Sequence, residues 1–560
     1  MEYRQAYEHW LTSVAQTREE MDELTALPEA EIEDRFYTDL SFGTAGMRGV
    51  MAQGTNRMNI YTVRRASAAL AKLLIATPGG RERGVCVAFD SRNHSQEFAR
   101  EAALVLCAWG VKTMLYESLR PVPMLSFAVR DQKAMAGVVI TASHNPKQYN
   151  GYKVYWEDGG QLPPDRAAIV QEKIAETDFS EAVPMDEKEA LDKGLLIYLG
   201  EEQDERYQTY AQTLLIDPEK DQSEGAGLKI VYSPLHGSGN IPVRTALKRA
   251  GFTDVTVVPE QELPNGDFPT VKVPNPEEKD AFTLALKLAE EIGADVVFAT
   301  DPDCDRVGLA VKDNHGDARA LTGNEIGCLL LHYVLTQKKA LGTLPKNAAA
   351  VKSIVTTELA RRICEDFGVA MIDVLTGFKF IAEKIQQFEE TGEHTFVFGF
   401  EESCGYLSGT RVRDKDGVNA CLLISEAALY YRDQGKTLYD ALEEIYQKYG
   451  YHSAKVVAVT LPGLDGLDRM RGIMTGLRQN PPAKIGELKV TGARDYLSGW
   501  GGLPKSDVVY FELEGGAWLC VRPSGTEPKI KLYANACAAD KAEAARLAES
   551  LAEAGKKIML

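Results

Sequence analysis

Residues 136–146 read AGVVITASHNP, and two later stretches repeat their form: DVVFATDPDCDR at 295–306 and TFVFGFEESCG at 395–405. Each is a short β-branched or aromatic run, the length of one buried strand, that breaks into polar residues at its carboxyl end. Upstream of the first, residues 85–90 and 113–116 read as strands around a helical pattern over 96–109. Upstream of the second, strands at 229–232 and 255–258 enclose a helix near 243–250, and upstream of the third, strands at 351–356 and 371–375 enclose a helix over 358–367. Strands alternating with helices predict α/β domains on largely parallel sheets, which bind ligands beyond the carboxyl ends of their strands. The expected fold class is therefore α/β, with three similar mixed α/β lobes. The tail differs: strands at 456–461, 508–513, 517–521 and 529–534, then a helix over 541–554, predict a smaller α+β domain. Polar or Gly/Pro-bearing breaks near 216–227, 312–323 and 447–453 divide the chain into 1–217, 218–322, 323–449 and 450–560. The acidic first 40 residues read as a helical flank on the first lobe.

A chain of 560 residues with 44% hydrophobic residues can bury several cores. Its formal net charge of −18 argues against nucleic-acid or anionic-membrane surfaces, which require dense Lys and Arg fields. No stretch approaches the roughly 20 apolar residues that span a bilayer, and the amino-terminal segment has no basic region followed by an apolar core. A soluble, cytoplasmic protein is expected. The nine cysteines contain no CxxC pair and sit mostly in apolar runs, as reduced core residues do.

The polar loops carry the chemistry. Ser143 stands beside His144 and upstream of Lys153, offering a nucleophile, a proton shuttle and a cation; the same residues also suit a surface turn. Asp301, Asp303 and Asp305 occur at every second position, so an extended backbone would direct all three to one side, toward a hard cation such as Mg²⁺. An EF-hand is excluded by Arg306 at the sixth position and Lys312 at the twelfth. Glu401, Glu402 and Ser403 suit vicinal sugar hydroxyls, although alone the signal is weak. The run 414–417, DKDG, is a polar turn on its own. Arg522 with Ser524, Gly525 and Thr526 forms a candidate phosphate cradle or an ordinary hairpin loop. Gly435–Lys436–Thr437 lacks the earlier glycine of a P-loop, and Gly237–Ser238–Gly239 lacks the third glycine of a dinucleotide fingerprint.

Taken in order, TASHNP, DPDCDR, GFEESCGY and RPSGTEPK resemble the four signature loops of the α-D-phosphohexomutase superfamily, within its phosphoglucomutase/phosphomannomutase group. The likeness extends to FGTAGMRG at 42–49 and LTGFK at 375–379, and its wording is similar to the branch of bacterial α-phosphoglucomutases and the phosphoglucomutase-2 type. The resemblance implies four domains around a central cleft, each giving one loop. It implies that Ser143 carries the phosphoryl group and, with Asp301, Asp303 and Asp305, holds Mg²⁺, while Arg306 stabilises the site. Glu401 and Ser403 would bind sugar hydroxyls, and Thr376, Gly377 and Lys379 would orient the ring. Arg522, Ser524, Gly525, Thr526 and Lys531 would hold the phosphate that is not reacting. Arg48, His144, Lys153 and Lys415 are candidates for proton transfer or charge stabilisation. Two departures stand out: Cys304 replaces the usual Gly or Ala, and Gly405–Tyr406 replaces the His of some mannose enzymes.

The implied reaction interconverts glucose 1-phosphate and glucose 6-phosphate, with glucose 1,6-bisphosphate as intermediate and activator. Phosphopentomutase or phosphomannomutase activity, a phosphoserine-forming metal phosphatase and a silent phosphosugar-binding protein are the rivals. The expected partner is a small phosphosugar, with no nucleic acid and no membrane, and the expected assembly a monomer or weak homodimer.

Overall fold

A computed structural model describes residues 3–14, 17–43, 46–313, 315–316, 318–461, 466–523 and 529–559. The chain folds as two compact units, one of residues 1–323, 382–392 and 403–435, the other of residues 324–381, 393–402 and 436–560.

In the first unit, strands β1 (Met47–Val50), β2 (Val85–Phe89), β3 (Thr113–Tyr116), β4 (Ala136–Ile140), β5 (Tyr149–Trp156) and β6 (Leu196–Leu199) form a sheet in the order β1-β5-β4-β2-β3-β6. The four strands from β4 to β6 are parallel, whereas β5 runs antiparallel to both β4 and β1. Every residue of β2 and β4 is buried, which explains their unbroken apolar sequences. The helix Ser95–Ala108 buries Phe98, Ala99, Ala102, Val105 and Leu106, the stripe that its 3.6-residue period predicts.

The second sheet comprises β7 (Ile230–Ser233), β8 (Val255–Val257), β9 (Val296–Thr300), β10 (Val307–Lys312) and β11 (Ala318–Ala320), ordered β11-β10-β9-β7-β8. It repeats the plan of the first, because a buried parallel strand, β9, is followed by an antiparallel neighbour, β10. The TASHNP loop thus joins β4 to β5, and the DPDCDR loop joins β9 to β10. The expected mixed α/β lobes are found: parallel pairs carry β4 and β9, and the antiparallel β5 and β10 follow the two loops. Asn150–Gly151 and Lys153 disguised β5 as a loop, since turn residues and a charge interrupt its pattern. The amino-terminal flank is helical at Tyr3–His9, Arg18–Thr25 and Glu29–Phe36. It packs on the first lobe through Trp10, fully buried against Phe36, Tyr61 and Phe179.

In the second unit, β12 (Ala348–Ser353), β13 (Ala370–Val374) and β14 (Thr395–Glu401) lie parallel in the order β13-β12-β14. Six further strands, β16 (Tyr451–Thr460), β17 (Lys484–Ile485), β18 (Leu488–Asp495), β19 (Val509–Leu513), β20 (Trp518–Pro523) and β21 (Lys529–Ala538), follow a short β15 (Gly405–Leu407) that belongs to the first unit. They form an antiparallel sheet ordered β16-β21-β20-β19-β18-β17. One face, with Leu519, Val521, Ile530 and Leu532, packs on the helix Lys541–Met559. The other face, with Trp518, Cys520 and Tyr533, packs on Ile354, Val355 and Leu375, the residues just beyond β12 and β13. The fold is thus four α/β domains, three on mixed sheets and a carboxy-terminal one on an antiparallel sheet. Among the described residues no helix is long and apolar enough to cross a membrane.

Candidate active site

The two hairpin loops of the first unit meet. Ser143 Oγ donates to Asp301 Oδ2 at 2.8 Å and lies 3.1 Å from His144 Nδ1. Thr141 Oγ accepts the Ser143 N–H at 2.8 Å and stands 3.2 Å from Asp303 Oδ2. Asp301, Asp303 and Asp305 are buried, and each offers a ligand oxygen within 4.8 Å of the others. Their convergence has a different cause from the expected one. Residues 301–306 are not extended: Cys304 N–H donates to the Asp301 carbonyl at 2.9 Å, Cys304 takes a left-handed φ of 51°, and Asp301 Oδ1 accepts the N–H groups of Asp305 (3.1 Å) and Arg306 (3.0 Å). A tight turn gathers the carboxylates, and Cys304 at its corner holds a backbone conformation that glycine adopts most readily.

Two cations enter this cluster. Lys153 Nζ, delivered by β5, donates to Asp303 Oδ2 at 2.8 Å. Lys415 Nζ lies 3.0 Å from Asp305 Oδ2 and 2.8 Å from Asp414 Oδ1. Arg306 donates to the Ser403 carbonyl at 3.0 Å and pairs with Glu277. Arg48, exposed on β1, donates to Asn145 Oδ1 at 3.3 Å.

Electrostatics follow from this packing. Burial, then the charges of Asp303 and Asp305, holds the Asp301 carboxyl well above its ordinary range. Burial and Asp303 raise Asp305 as well. Burial is the largest influence on Asp303 and opposes its ionisation, but Lys153, Asp301 and Lys415 together outweigh it and hold that carboxyl below its usual value. His144 is held well below its usual range by burial and then by Arg306, so its imidazole is neutral at pH 7. Asp303 Oδ1 and Asp305 Oδ1 are buried without a hydrogen-bond partner among the described residues. Three crowded carboxylates with two orphaned oxygens fit a divalent cation, which would satisfy those oxygens and lower all three pKa values.

The second unit holds another group. Glu401, buried at the end of β14, accepts the Gly377 N–H at 2.7 Å, tying the LTGFK turn to the GFEES loop. Glu402 Oε2 accepts the hydroxyls of Ser353 and Thr356, each at 3.1 Å. Thr376 Oγ is buried without a hydrogen-bond partner among the described residues. Lys379 Nζ lies 4.8 Å from the Phe380 ring centroid. Arg522 and Lys531 face each other across β20 and β21, in line with Cys520 and Tyr533. Ser524, Gly525 and Thr526 lie outside the described residues, as do Thr44 and Ala45 of the FGTAGMRG stretch.

The first unit therefore brings together Ser143, His144, Lys153, the three aspartates, Arg306, Lys415 and Arg48, with the carbonyl of Ser403. The second holds Thr376, Gly377, Lys379, Glu401, Arg522 and Lys531. Sequence reasoning missed the support behind the aspartates. Gly237–Ser238–Gly239, dismissed for nucleotide binding, packs against the DPDCDR loop: Ser238 donates both N–H and Oγ to the Pro302 carbonyl at 2.8 Å. A Cβ on Gly239 would stand 2.7 Å from Cys304 Sγ. The glycines serve close approach between loops, a use that no spacing rule for phosphate binding detects.

Comparison with known proteins identifies the four domains. The chain matches the phosphoglucomutase/phosphomannomutase family as α/β/α domain I over residues 39–181, domain II over 205–316, domain III over 322–449 and the C-terminal domain over 470–554. A phosphoglucomutase of Staphylococcus aureus (strain MRSA252) is 37% identical over 522 residues, covering 90% of this chain and 91% of that protein. The phosphoglucomutase of Staphylococcus haemolyticus (strain JCSC1435) is 36% identical over 517 residues, covering 90% and 91%. In fold, the chain is similar to the open form of the exocytosis-sensitive phosphoprotein pp63/parafusin from Paramecium, with a TM-score of 0.71 at 17% identity over 93% of this chain and 95% of that one. A Burkholderia thailandensis phosphoglucomutase/phosphomannomutase family protein gives a TM-score of 0.66 at 19% identity, covering 92% and 97%.

Proposed function

This chain belongs to the phosphoglucomutase/phosphomannomutase family of the α-D-phosphohexomutase superfamily, and from that premise we propose that it interconverts α-D-glucose 1-phosphate and glucose 6-phosphate through a phosphoryl group carried on Ser143. One observation carries the reading: the Ser143 hydroxyl lies 2.8 Å from a carboxylate of a buried three-aspartate cluster, two of whose oxygens have no hydrogen-bond partner among the described residues.

Asp301, Asp303 and Asp305, with an oxygen from the Ser143 side chain, are the residues that would hold Mg²⁺. Bound there, the ion would offset charge on the transferred group. The protein's own groups act around it. Ser143 gives its phosphoryl group to the free hydroxyl of the monophosphate, making glucose 1,6-bisphosphate, and takes back the phosphate from the other carbon after the sugar turns over. Lys153 and Lys415 hold the aspartates in place and add positive charge. Neutral His144, 3.1 Å from Ser143 Oγ, can accept the proton that leaves the hydroxyl when unphosphorylated Ser143 is primed by bisphosphate.

Glu401 and Ser403 bind sugar hydroxyls in either pose, with Thr376, Gly377 and Lys379 beside the ring. Arg522 and Lys531, with Ser524, Gly525 and Thr526, hold the idle phosphate, because a guanidinium and main-chain donors recognise a phosphate whichever carbon bears it. Glucose 1,6-bisphosphate is the activator, the cytoplasm the site of action, and a monomer or weak homodimer the working form.

A coupled assay with Mg²⁺ and a trace of bisphosphate, comparing glucose, mannose and ribose 1-phosphates, tests the proposal. Glucose 6-phosphate should form from glucose 1-phosphate without release of free phosphate, and Ser143→Ala should not form it. Equal activity of that variant removes the relay, and stoichiometric free phosphate makes the protein a phosphatase.

A further inference from the structure

Ser143 has a φ of 52°, a left-handed backbone that costs a residue with a side chain about 1–2 kcal/mol. The surroundings must impose it. Beneath the loop lies Arg92, 3% exposed. One terminal nitrogen donates to the carbonyl of Ser143 at 2.6 Å and to that of Asn145; the other donates to the carbonyls of Pro146 at 3.0 Å and Tyr149 at 3.1 Å. A single guanidinium thus gathers four carbonyls of the 143–149 segment. Its Nε stands 3.5 Å from Asp90 Oδ2, and its centre lies 5.1 Å from the Phe268 ring centroid.

Asp90 is equally enclosed. It accepts the Thr141 hydroxyl at 2.6 Å, the Ser95 hydroxyl at 2.7 Å and the Arg92 N–H at 2.9 Å. Thr141 in turn accepts the Ser143 N–H. Ser143 is therefore gripped on both sides, its N–H through Thr141 and Asp90 and its carbonyl by Arg92. A planar fork with five donors can do this, whereas a lysine brings three donors from one point.

We propose that Arg92, paired with Asp90, is a positioning residue for phosphoryl transfer. It holds the 143–149 loop in the strained backbone that keeps Ser143 Oγ on Asp301. The inference rests on the mutase reading, and it assigns Arg92 no contact with the sugar or the metal.

The test uses the full-length chain as wild type, Arg92→Lys, Arg92→Ala and Asp90→Asn. Steady-state kinetics with glucose 1-phosphate, phosphorylation by glucose 1,6-bisphosphate followed by intact mass, Mn²⁺ binding by calorimetry and thermal unfolding are measured on each. Arg92→Lys should lower kcat by about 10²-fold, the usual effect of misplacing a reacting atom by an ångström. KM should stay within about twofold, as for a group acting after binding, and phosphorylation of Ser143 should slow in parallel while Mn²⁺ binding persists. Asp90→Asn should lower kcat by about tenfold, and added guanidinium ion should restore part of the activity of Arg92→Ala. An Arg92→Lys protein with wild-type kcat, or one changed in KM alone, overturns the proposal. So does loss of folding in all three variants, which makes the pair a structural element only. A wild type that shows no mutase activity overturns the functional reading instead, whatever the variants do.

Discussion

The Ser143–aspartate cluster of the first unit and the Glu401–Arg522 group of the second are built on opposite principles. In the first, buried carboxylates crowd together, two of their oxygens have no hydrogen-bond partner among the described residues, and the two loops turn through the left-handed backbones of Ser143 and Cys304. In the second, Glu401 and Glu402 have donors from their own fold, and an apolar face of Trp518, Cys520 and Tyr533 braces the turns beyond β12 and β13. If the first group transfers phosphoryl and the second recognises sugar and phosphate, as proposed, the contrast follows: charge stabilisation uses unmet electrostatic demand, whereas recognition uses carboxylates already held in place.

Substitutions should separate the two. Ser143→Ala should reduce mutase turnover by on the order of 10⁴-fold or more, measured by glucose 6-phosphate formation, with the midpoint of unfolding nearly unchanged because one hydroxyl is lost. Asp303→Asn should cost about 10³-fold, the scale on which a group stabilising transition-state charge acts, and should weaken Mn²⁺ binding in calorimetry; chelation of the wild type should abolish activity reversibly. Glu401→Gln should cost about 10- to 100-fold, the worth of a charge-assisted hydrogen bond, while Mn²⁺ binding stays at the wild-type level. If Glu401→Gln impaired metal binding as strongly as Asp303→Asn, the contrast would fail.

The smallest effect concerns stability, not turnover. Asp221 and Glu426 form a buried acidic pair in the first unit, where Glu426 Oε1 accepts the N–H groups of Ile216 (2.7 Å) and Asp217 (3.1 Å). Burial pushes the Asp221 carboxyl up to about 7, and burial together with Asp221 holds Glu426 well above its usual range. The folded chain then keeps a proton that the unfolded chain releases near pH 4. The pair's contribution is complete below about pH 4 and is lost as pH rises through about 7. Asp221→Asn should therefore stabilise the protein at pH 8, by on the order of 2 kcal/mol, and change little at pH 4. Thermal unfolding at the two pH values measures this, and an equal effect at both would refute a shared proton.

Much of the fold was legible in residue pattern. The strand at 113–116 coincides with β3, and β2, β4, β9 and β14 lie within a residue of their expected ends, because strands buried on both faces are unbroken apolar runs. β5 and β18 were missed. Charges and glycines interrupt both, and β18 alternates half-buried with exposed residues, so hydrogen bonding to neighbours decides them more than composition does. At the candidate site, residue type singles out Ser143 and the aspartates, which the structure brings together. Arg92 was not, since an arginine after a strand carries no sign of the four carbonyls it will meet.

The amino-acid sequence by itself determined which residues could carry chemistry, and in what order along the chain, because a hydroxyl, a carboxylate or a guanidinium is a property of its residue. Tertiary structure alone decided that Asp301 meets Ser143 across two hairpin loops, that a turn rather than an extended strand gathers the aspartates, and that a dismissed glycine loop packs behind them. Those contacts join residues about 160 positions apart in the case of Ser143 and Asp301. Distances of that kind are set by sheet order and close packing, which no local pattern encodes.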